Sequence, residues 1–276
     1  MNSIATSSGS DVSQLMNTLA SQGNMSMGSM DIIKATGIQA NIQNSLGISA
    51  DDHEATDAIL IGCILDNSSS ISGIPNGPNT VCKGQNLYID AFTGSKQEDD
   101  ILVATWLVDA PNPVHPFVPV SEAVRLENGK NYTASGCTPL YRCTCEALTT
   151  IALKMRADYI DVGCPCRTIL LIVTDGANYD GYGSSGGKHY EASDCATLIK
   201  DMSEDLIVQF MGIDDGSTDF HQIARDMGIA DHQILTPGST ESELRQAFGL
   251  ASRSAIRASQ SSQGFSQVNA GGFGNV

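Results

Sequence analysis

Four strand-length stretches of almost wholly apolar residues do most to limit how this chain can fold. They are Ala58–Leu65, Ile101–Val108, Thr168–Thr174 and Leu206–Ile213. None alternates polar and apolar positions, so each must be buried on both faces, as in a parallel sheet covered by helices. Helical patterns fall between them. A helix ends near Ala91-Phe92 after a loop holding Pro75, Gly77 and Pro78, another runs from Pro139 to about Tyr159, and a third from Glu191 to about Glu204. A short helix over Phe220 to Met227 and a last one from Glu241 to Ile256 follow, with strands at Phe117 to Leu126 (interrupted by Pro119) and His232 to Leu235. Strand and helix in alternation predict an α/β fold: a doubly wound, mainly parallel sheet with helices on both faces.

The flanks read differently. Residues 1–55 are rich in Ser, Met, Asn and Gly and form a polar, flexible arm with weak helical spacing over Asp31 to Leu46, where Gly37 lowers helix propensity. Residues 258–276 are a Gly/Ser/Gln-rich tail. Neither end has the apolar content for a core of its own. The folded domain is therefore expected over residues 56–257, and 41% hydrophobic residues suffice for one core in a chain of 276.

Charge excludes some functions. With 31 Asp and Glu against 15 Lys and Arg, the formal net charge is −16. Sequence-independent nucleic-acid binding needs the opposite sign, because Lys and Arg must neutralise phosphate. Divalent cations and basic partners suit this surface. The residues Met1 to Ser10 show neither a basic nor an apolar stretch, and no apolar run approaches the roughly 20 residues of a membrane-spanning helix. A cytoplasmic protein with no membrane contact is the expectation.

Eight cysteines are present. Cys63 lies within an apolar run and reads as a core thiol. Cys143/Cys145 and Cys164/Cys166 look like halves of a zinc site, but a helix from Pro139 to Tyr159 would separate Cys145 from Cys164 by roughly 20 Å. Reduced thiols are the expectation.

Five residues mark the candidate site. Asp66, Ser68 and Ser70 follow the first apolar run, Thr138 opens a helix, and Asp175 ends the run Thr168–Thr174. Each has an ordinary structural use: Ser as helix cap, Asp in a turn, Thr-Pro as a helix start with Thr138 as cap and Pro139 first in the helix. In a doubly wound sheet, however, all five fall outside the carboxyl ends of the strands, where they can converge. Two carboxylates and three hydroxyls are hard oxygen ligands, suited to Mg²⁺, with Mn²⁺ or Ca²⁺ as alternatives.

These segments carry a resemblance. Asp66-Asn67-Ser68-Ser69-Ser70, Ala134-Ser135-Gly136-Cys137-Thr138-Pro139-Leu140 and Thr174-Asp175-Gly176, supported by Met211 to Gly216 and the short helix after it, are similar to the motifs of a von Willebrand factor type A (vWA) domain with a metal-ion-dependent adhesion site. The likeness spans about residues 55–257, and its threonine loop resembles intracellular bacterial members, including those of tellurite-resistance type. It departs in having Ser69 and Cys137 where many relatives have Gly, and a long loop over Gly73 to Asn79.

The resemblance implies that Ser68 and Ser70 bind the metal directly. Asp66 and Asp175 would act directly or through water, and Thr138 directly or through water according to state. It also implies an open coordination position that a partner protein's Asp or Glu fills, in a non-catalytic interaction module. An assembly subunit with a structural metal, self-associating through its terminal arms, is the alternative.

Other chemistries fare worse. Gly181-Tyr182-Gly183-Ser184-Ser185-Gly186 matches a dinucleotide fingerprint but lies in a long loop instead of a tight strand-to-helix turn, and Gly187-Lys188 lacks the residues of a phosphate loop. A magnesium phosphatase of haloacid dehalogenase type needs a second Asp where Ser68 stands. The five histidines form no spaced pair, with His115, His221 and His232 read as loop or solvent-facing residues. No nucleophile and base can be paired, so no catalysis is expected.

Overall fold

The computed structural model describes residues 12–22, 25–34, 39–48, 57–180, 189–214 and 216–260. At its centre are six strands: β1 (Ala58–Leu65), β2 (Ile101–Leu107), β3 (His115–Pro119), β4 (Cys166–Thr174), β5 (Leu206–Gly212) and β6 (Ile234–Leu235). They form one sheet in the order β3-β2-β1-β4-β5-β6. Strand β1 runs parallel to both β2 and β4, β5 is parallel to β4 and to β6, and β3 alone is antiparallel, on the edge. The chain winds outward from β1 in one direction and from β4 in the other. The carboxyl ends of β1 and β4 therefore flank the topological switch point, where α/β sheets bind ligands.

Period-two alternation divides the sheet's side chains cleanly. Ile59, Ile61, Cys63 and Leu65 of β1, with Ile169, Leu171 and Val173 of β4, face α4 (Gly77–Asp90) and α8 (Glu241–Ser259). Leu60 and Ile64, with Leu170 and Ile172, face α5 (Leu140–Lys154), α6 (Ala192–Asp201) and α7 (Phe220–Asp226). Every residue of β1, β2, β4 and β5 is buried, which explains why their sequences show no polar alternation. Helix α8 starts with a reciprocal capping box between Thr240 and Glu243 and continues to Ser259, past the expected end.

The structure corrects several expectations. Strand β3 stops at Pro119, where the chain enters a 3₁₀ turn over Val120–Glu122, instead of running to Leu126. A proline has no N–H for the ladder and sits on a sheet edge, as here. The first half of the segment 232–235 belongs to a 3₁₀ turn, Asp231–Gln233, leaving two residues of strand, Ile234–Leu235. His115 is buried on β3, with Nδ1 2.9 Å from the Pro116 carbonyl oxygen. Cys63 is buried, as its apolar setting suggested. None of the eight cysteines is in a disulfide. Cys145 Sγ lies 3.6 Å from Cys195 Sγ, while Cys143 Sγ faces the Leu107 carbonyl. Among the described residues no helix is long and apolar enough to cross a membrane.

The described parts of the 1–55 segment form three helices, α1 (Val12–Gln22), α2 (Met27–Ile33) and α3 (Gln39–Ser45). They have no core by themselves but lend apolar side chains to the domain's. Met16, Leu19, Ile33 and Ile42 are buried in the cluster that α5 and α6 build over the sheet. Helix α3 crosses α5 and β3, and the bonds around it are specific. Trp106 Nε1 donates to Ser45 Oγ at 3.2 Å, the Ile48 N–H to the Phe117 carbonyl at 3.1 Å, and the buried Lys154 Nζ to the Ile48 carbonyl at 2.6 Å. The chain comes so close to β3 at Gly47 (φ 73°) that a Cβ there would sit 1.9 Å from the Phe117 carbonyl oxygen.

Candidate metal centre

The site is assembled from three loop starts at the switch point. After β1 the ladder extends one residue, the Asp66 N–H donating to the Val173 carbonyl at 2.8 Å. Asp66 then turns the chain: its Oδ1 accepts the Ser68 N–H at 2.8 Å, an Asx turn, and a 3₁₀ turn over Ser69–Gly73 follows. Its other oxygen, Oδ2, accepts the Thr174 hydroxyl at 2.6 Å, and its backbone carbonyl accepts the Tyr132 hydroxyl, also at 2.6 Å. The Asp66 carboxylate is thus fixed in direction by two donors before any ligand is considered.

Strand β4 delivers Asp175. Its Oδ1 accepts the Ser70 hydroxyl at 2.8 Å and lies 3.4 Å from Ser68 Oγ, while Ser68 Oγ and Ser70 Oγ are 2.8 Å apart. Asp66, Ser68 and Asp175 are buried, while Ser70 is exposed. Burial, and next the neighbouring Asp66 carboxylate, push the Asp175 carboxyl up to about 6, against the partial relief of its serine hydrogen bonds. Among the described residues no basic side chain offsets this on Asp175.

Thr138 reaches the site in a way the sequence did not indicate. Helix α5 begins at Leu140 with Pro139 as its cap, so Thr138 is one residue further out than its capping role required. Its backbone instead exchanges two hydrogen bonds with Tyr179: Thr138 N–H to the Tyr179 carbonyl at 3.0 Å, and Tyr179 N–H to the Thr138 carbonyl at 2.7 Å. The Thr138 side chain is buried, and its Oγ1 stands over the Asp175–Gly176 turn, 3.8 Å from where a Cβ on Gly176 would be.

Several supporting residues were missed from sequence. Asn67 is buried and staples the loops: its Oδ1 accepts the Asp109 N–H at 3.0 Å and its carbonyl accepts the Ser135 N–H at 2.6 Å. Asp109 Oδ2 in turn accepts the Cys137 N–H at 2.9 Å. Thr174 and Tyr132 orient Asp66. The one signal was position: Asn67 and Thr174 each adjoin a candidate ligand in the chain. Nothing local marked Tyr132 or Asp109.

Gly136 shows how tight this scaffold is. It has φ 94°, and a Cβ there would lie 2.0 Å from Asp109 Oδ2. Gly136→Ala is expected to displace Asp109 and the threonine loop together, and to weaken divalent-cation binding at least roughly tenfold while the domain stays folded, since the strain is confined to a surface loop. Calorimetric titration of the variant beside wild type checks this.

Do these residues fit a cation? Cis oxygens around Mg²⁺ at about 2.0–2.1 Å are about 2.8–3.0 Å apart in an octahedron. The separations of Ser70 Oγ from Ser68 Oγ and from Asp175 Oδ1, 2.8 Å each, match that edge. The donor set is hard oxygen throughout. Among the described residues no group of three or more His, Cys, Asp or Glu is placed to hold a metal, so a cation here would depend on hydroxyl ligands beside the two carboxylates. The glycine-rich segment 181–186 lies outside the described residues.

No family model matches the sequence, and neither does any curated protein. Its shape is similar to that of the pilus adhesin SpaC from Lactobacillus rhamnosus GG in an open conformation, at 12% identity and TM-score 0.50 over 74% of this chain and 31% of that one. It is similar also to proximal thread matrix protein 1 of the mussel byssus, at 14% identity and TM-score 0.48 over 73% of this chain and 47% of that one. The SpRpn10 VWA domain matches at 8% identity and TM-score 0.44 over 70% and 94%. The chain thus spans about a third to a half of the length of the first two. The six-stranded, mostly parallel sheet with helices on both faces is a doubly wound, Rossmann-like α/β fold.

Proposed function

We propose that this protein is a non-catalytic, cytoplasmic protein-interaction module that holds a divalent cation, Mg²⁺ in first place, through Asp66, Ser68, Ser70, Thr138 and Asp175. One observation carries the reading: the Asp175 carboxylate, which burial and Asp66 disfavour and which no basic group among the described residues relieves, beside two serine hydroxyls spaced at ligand-to-ligand distance, at the switch point of a vWA-like sheet. A bound cation would supply a Lewis-acidic position open to one further anionic oxygen. The chain's own residues do the rest. Ser68, Asp66 and Thr174 form a pre-oriented cradle, and the burial of Asp66 and Asp175 keeps water out of the contact. A partner's Asp or Glu carboxylate is the anion that fits, because the cation offsets a surface of net charge −16 that would otherwise repel it. The likeness of the threonine loop to tellurite-resistance-type members gives a place to look for that partner.

The alternative, an assembly subunit joined through its terminal arms, has less support, since the described arm helices are packed on their own domain. Titration of Mg²⁺ and Mn²⁺ into chelator-treated protein is the test. A single saturable site is expected in wild type and is expected to vanish in Asp66→Ala and to weaken in Thr138→Ala, both of which keep a cooperative melt. A site of undiminished affinity in Asp66→Ala, or no binding at millimolar metal, would sink the proposal.

A further inference from the structure

We infer that Tyr179 is the specificity-determining wall of this site, selecting partner segments in which an apolar or aromatic side chain flanks the metal-bound carboxylate; the inference rests on the metal-bridging reading above. The argument starts from the bridge between Thr138 and Tyr179, which is antiparallel and exchanges both hydrogen bonds, at 3.0 and 2.7 Å. Residues paired in that way have Cα atoms about 5.5 Å apart and send their side chains to the same face. Thr138 sends its hydroxyl over the Asp175–Gly176 turn. Tyr179 therefore leaves the backbone on the ligand side of the bridge, next to a ligand.

Tyr179 is 49% exposed, one of few large apolar residues so placed among the described residues. Its backbone is held on both sides, by Thr138 and through Asn178, whose Oδ1 accepts the Tyr141 N–H at 3.1 Å. A half-open tyrosine on a backbone so held gives large contact area with only two side-chain torsions to order, the character of an interface anchor. Charge at this contact is already supplied by the cation and carboxylate. The ring's remaining contribution is apolar cover that keeps water from them.

The probe is a displayed library of peptides of about a dozen residues, each with one fixed Asp and random flanks. It is selected on the full chain in millimolar Mg²⁺ and eluted with EDTA. Eluted peptides are expected to carry Phe, Leu, Ile or Trp within two positions of the Asp. They should bind Tyr179→Ala roughly tenfold or more weakly than wild type, and Tyr179→Phe about as well as wild type. Both variants should keep wild-type Mg²⁺ affinity by calorimetry. Magnesium-dependent peptides that show no flanking preference, or that bind Tyr179→Ala undiminished, overturn this inference and leave the metal-bridging reading standing. Loss of Mg²⁺ affinity in Tyr179→Ala overturns it too, since the residue would then merely position Thr138. A library that yields no EDTA-eluted peptide overturns the bridging reading and this inference with it.

Discussion

A chain beginning at residue 57 is expected to melt more than about 10 °C below the full chain, or to be insoluble on expression. The helices α1 to α3 bury Met16, Leu19, Ile33 and Ile42 against the domain, and α3 covers the edge formed by β2, β3 and α5. Truncating a single buried Leu, Ile or Met typically costs roughly 2–5 kcal/mol. Here several are removed together, and their counterparts Trp106 and Phe117 are uncovered. Lys154, buried beside the rings of Phe117 and Tyr159, would keep Asp158 as a partner but lose the Ile48 carbonyl. At about 2–4 °C per kcal/mol for a domain of this size, a net loss of roughly 5 kcal/mol or more gives the stated shift. A newly exposed apolar face also invites aggregation. Gly47→Ala should reproduce part of the effect in the full chain, because its Cβ would collide with the Phe117 carbonyl. A chain from residue 57 that melted at the wild-type temperature would show the strap to be dispensable.

The second large effect concerns the sign of a pH dependence. Chelator-treated protein should lose stability as pH rises from about 4 to 6. Asp175 is raised to about 6 in the folded state by burial and by Asp66, above its ordinary value of 3.8. Between those values the folded state binds more protons than the unfolded, so the slope of stability with pH is negative. The contribution is fully present below about 3.8 and lost once pH passes about 6, a cost of roughly 2–3 kcal/mol at neutral pH at 1.36 kcal/mol per unit. Asp175→Asn removes the repulsion and should melt at or above wild type without metal. Saturating Mg²⁺ should reverse the slope in wild type, because protons then compete with the cation, and should raise its melting point by roughly 5–10 °C at a hundredfold excess over Kd. That rise should be absent in Asp175→Asn. A wild-type melting point indifferent to Mg²⁺ at pH 7.5, or a variant that gained as much as wild type, would count against the site.

The layout of the domain was legible because its physics is local and periodic. All-apolar runs such as Thr168–Thr174 admit little but a strand buried on both faces, and their alternation with helices leaves few topologies. The placement of the candidate residues was legible for the same reason: Asp66, Ser68, Ser70 and Asp175 follow strand ends, and the fold brings strand ends to one edge. Boundaries read less well where one residue decides, as Pro119 does by ending β3.

What the chain could not reveal alone is whatever depends on partners far away in sequence. The segment over 12–48 is too polar to build a core, and composition alone made it an arm. Its described helices pack because Ile33 and Ile42 join a cluster that also holds Leu102, Phe117 and Leu148, far away in the chain. Asp175 is a common turn residue until β1 and β4 pair in parallel and place Asp66 beside it. Tyr179 is one more loop tyrosine until Thr138 pairs with it across 41 residues. Periodicities, the order of elements and the chemistry available at the strand ends are written locally in the chain. Long-range packing sets which carboxylates share a site, which serine stands 2.8 Å from Asp175, and which polar segment joins the core. The physical reason is that periodicity acts between near neighbours, whereas desolvation and charge repulsion are set by whatever the fold packs alongside.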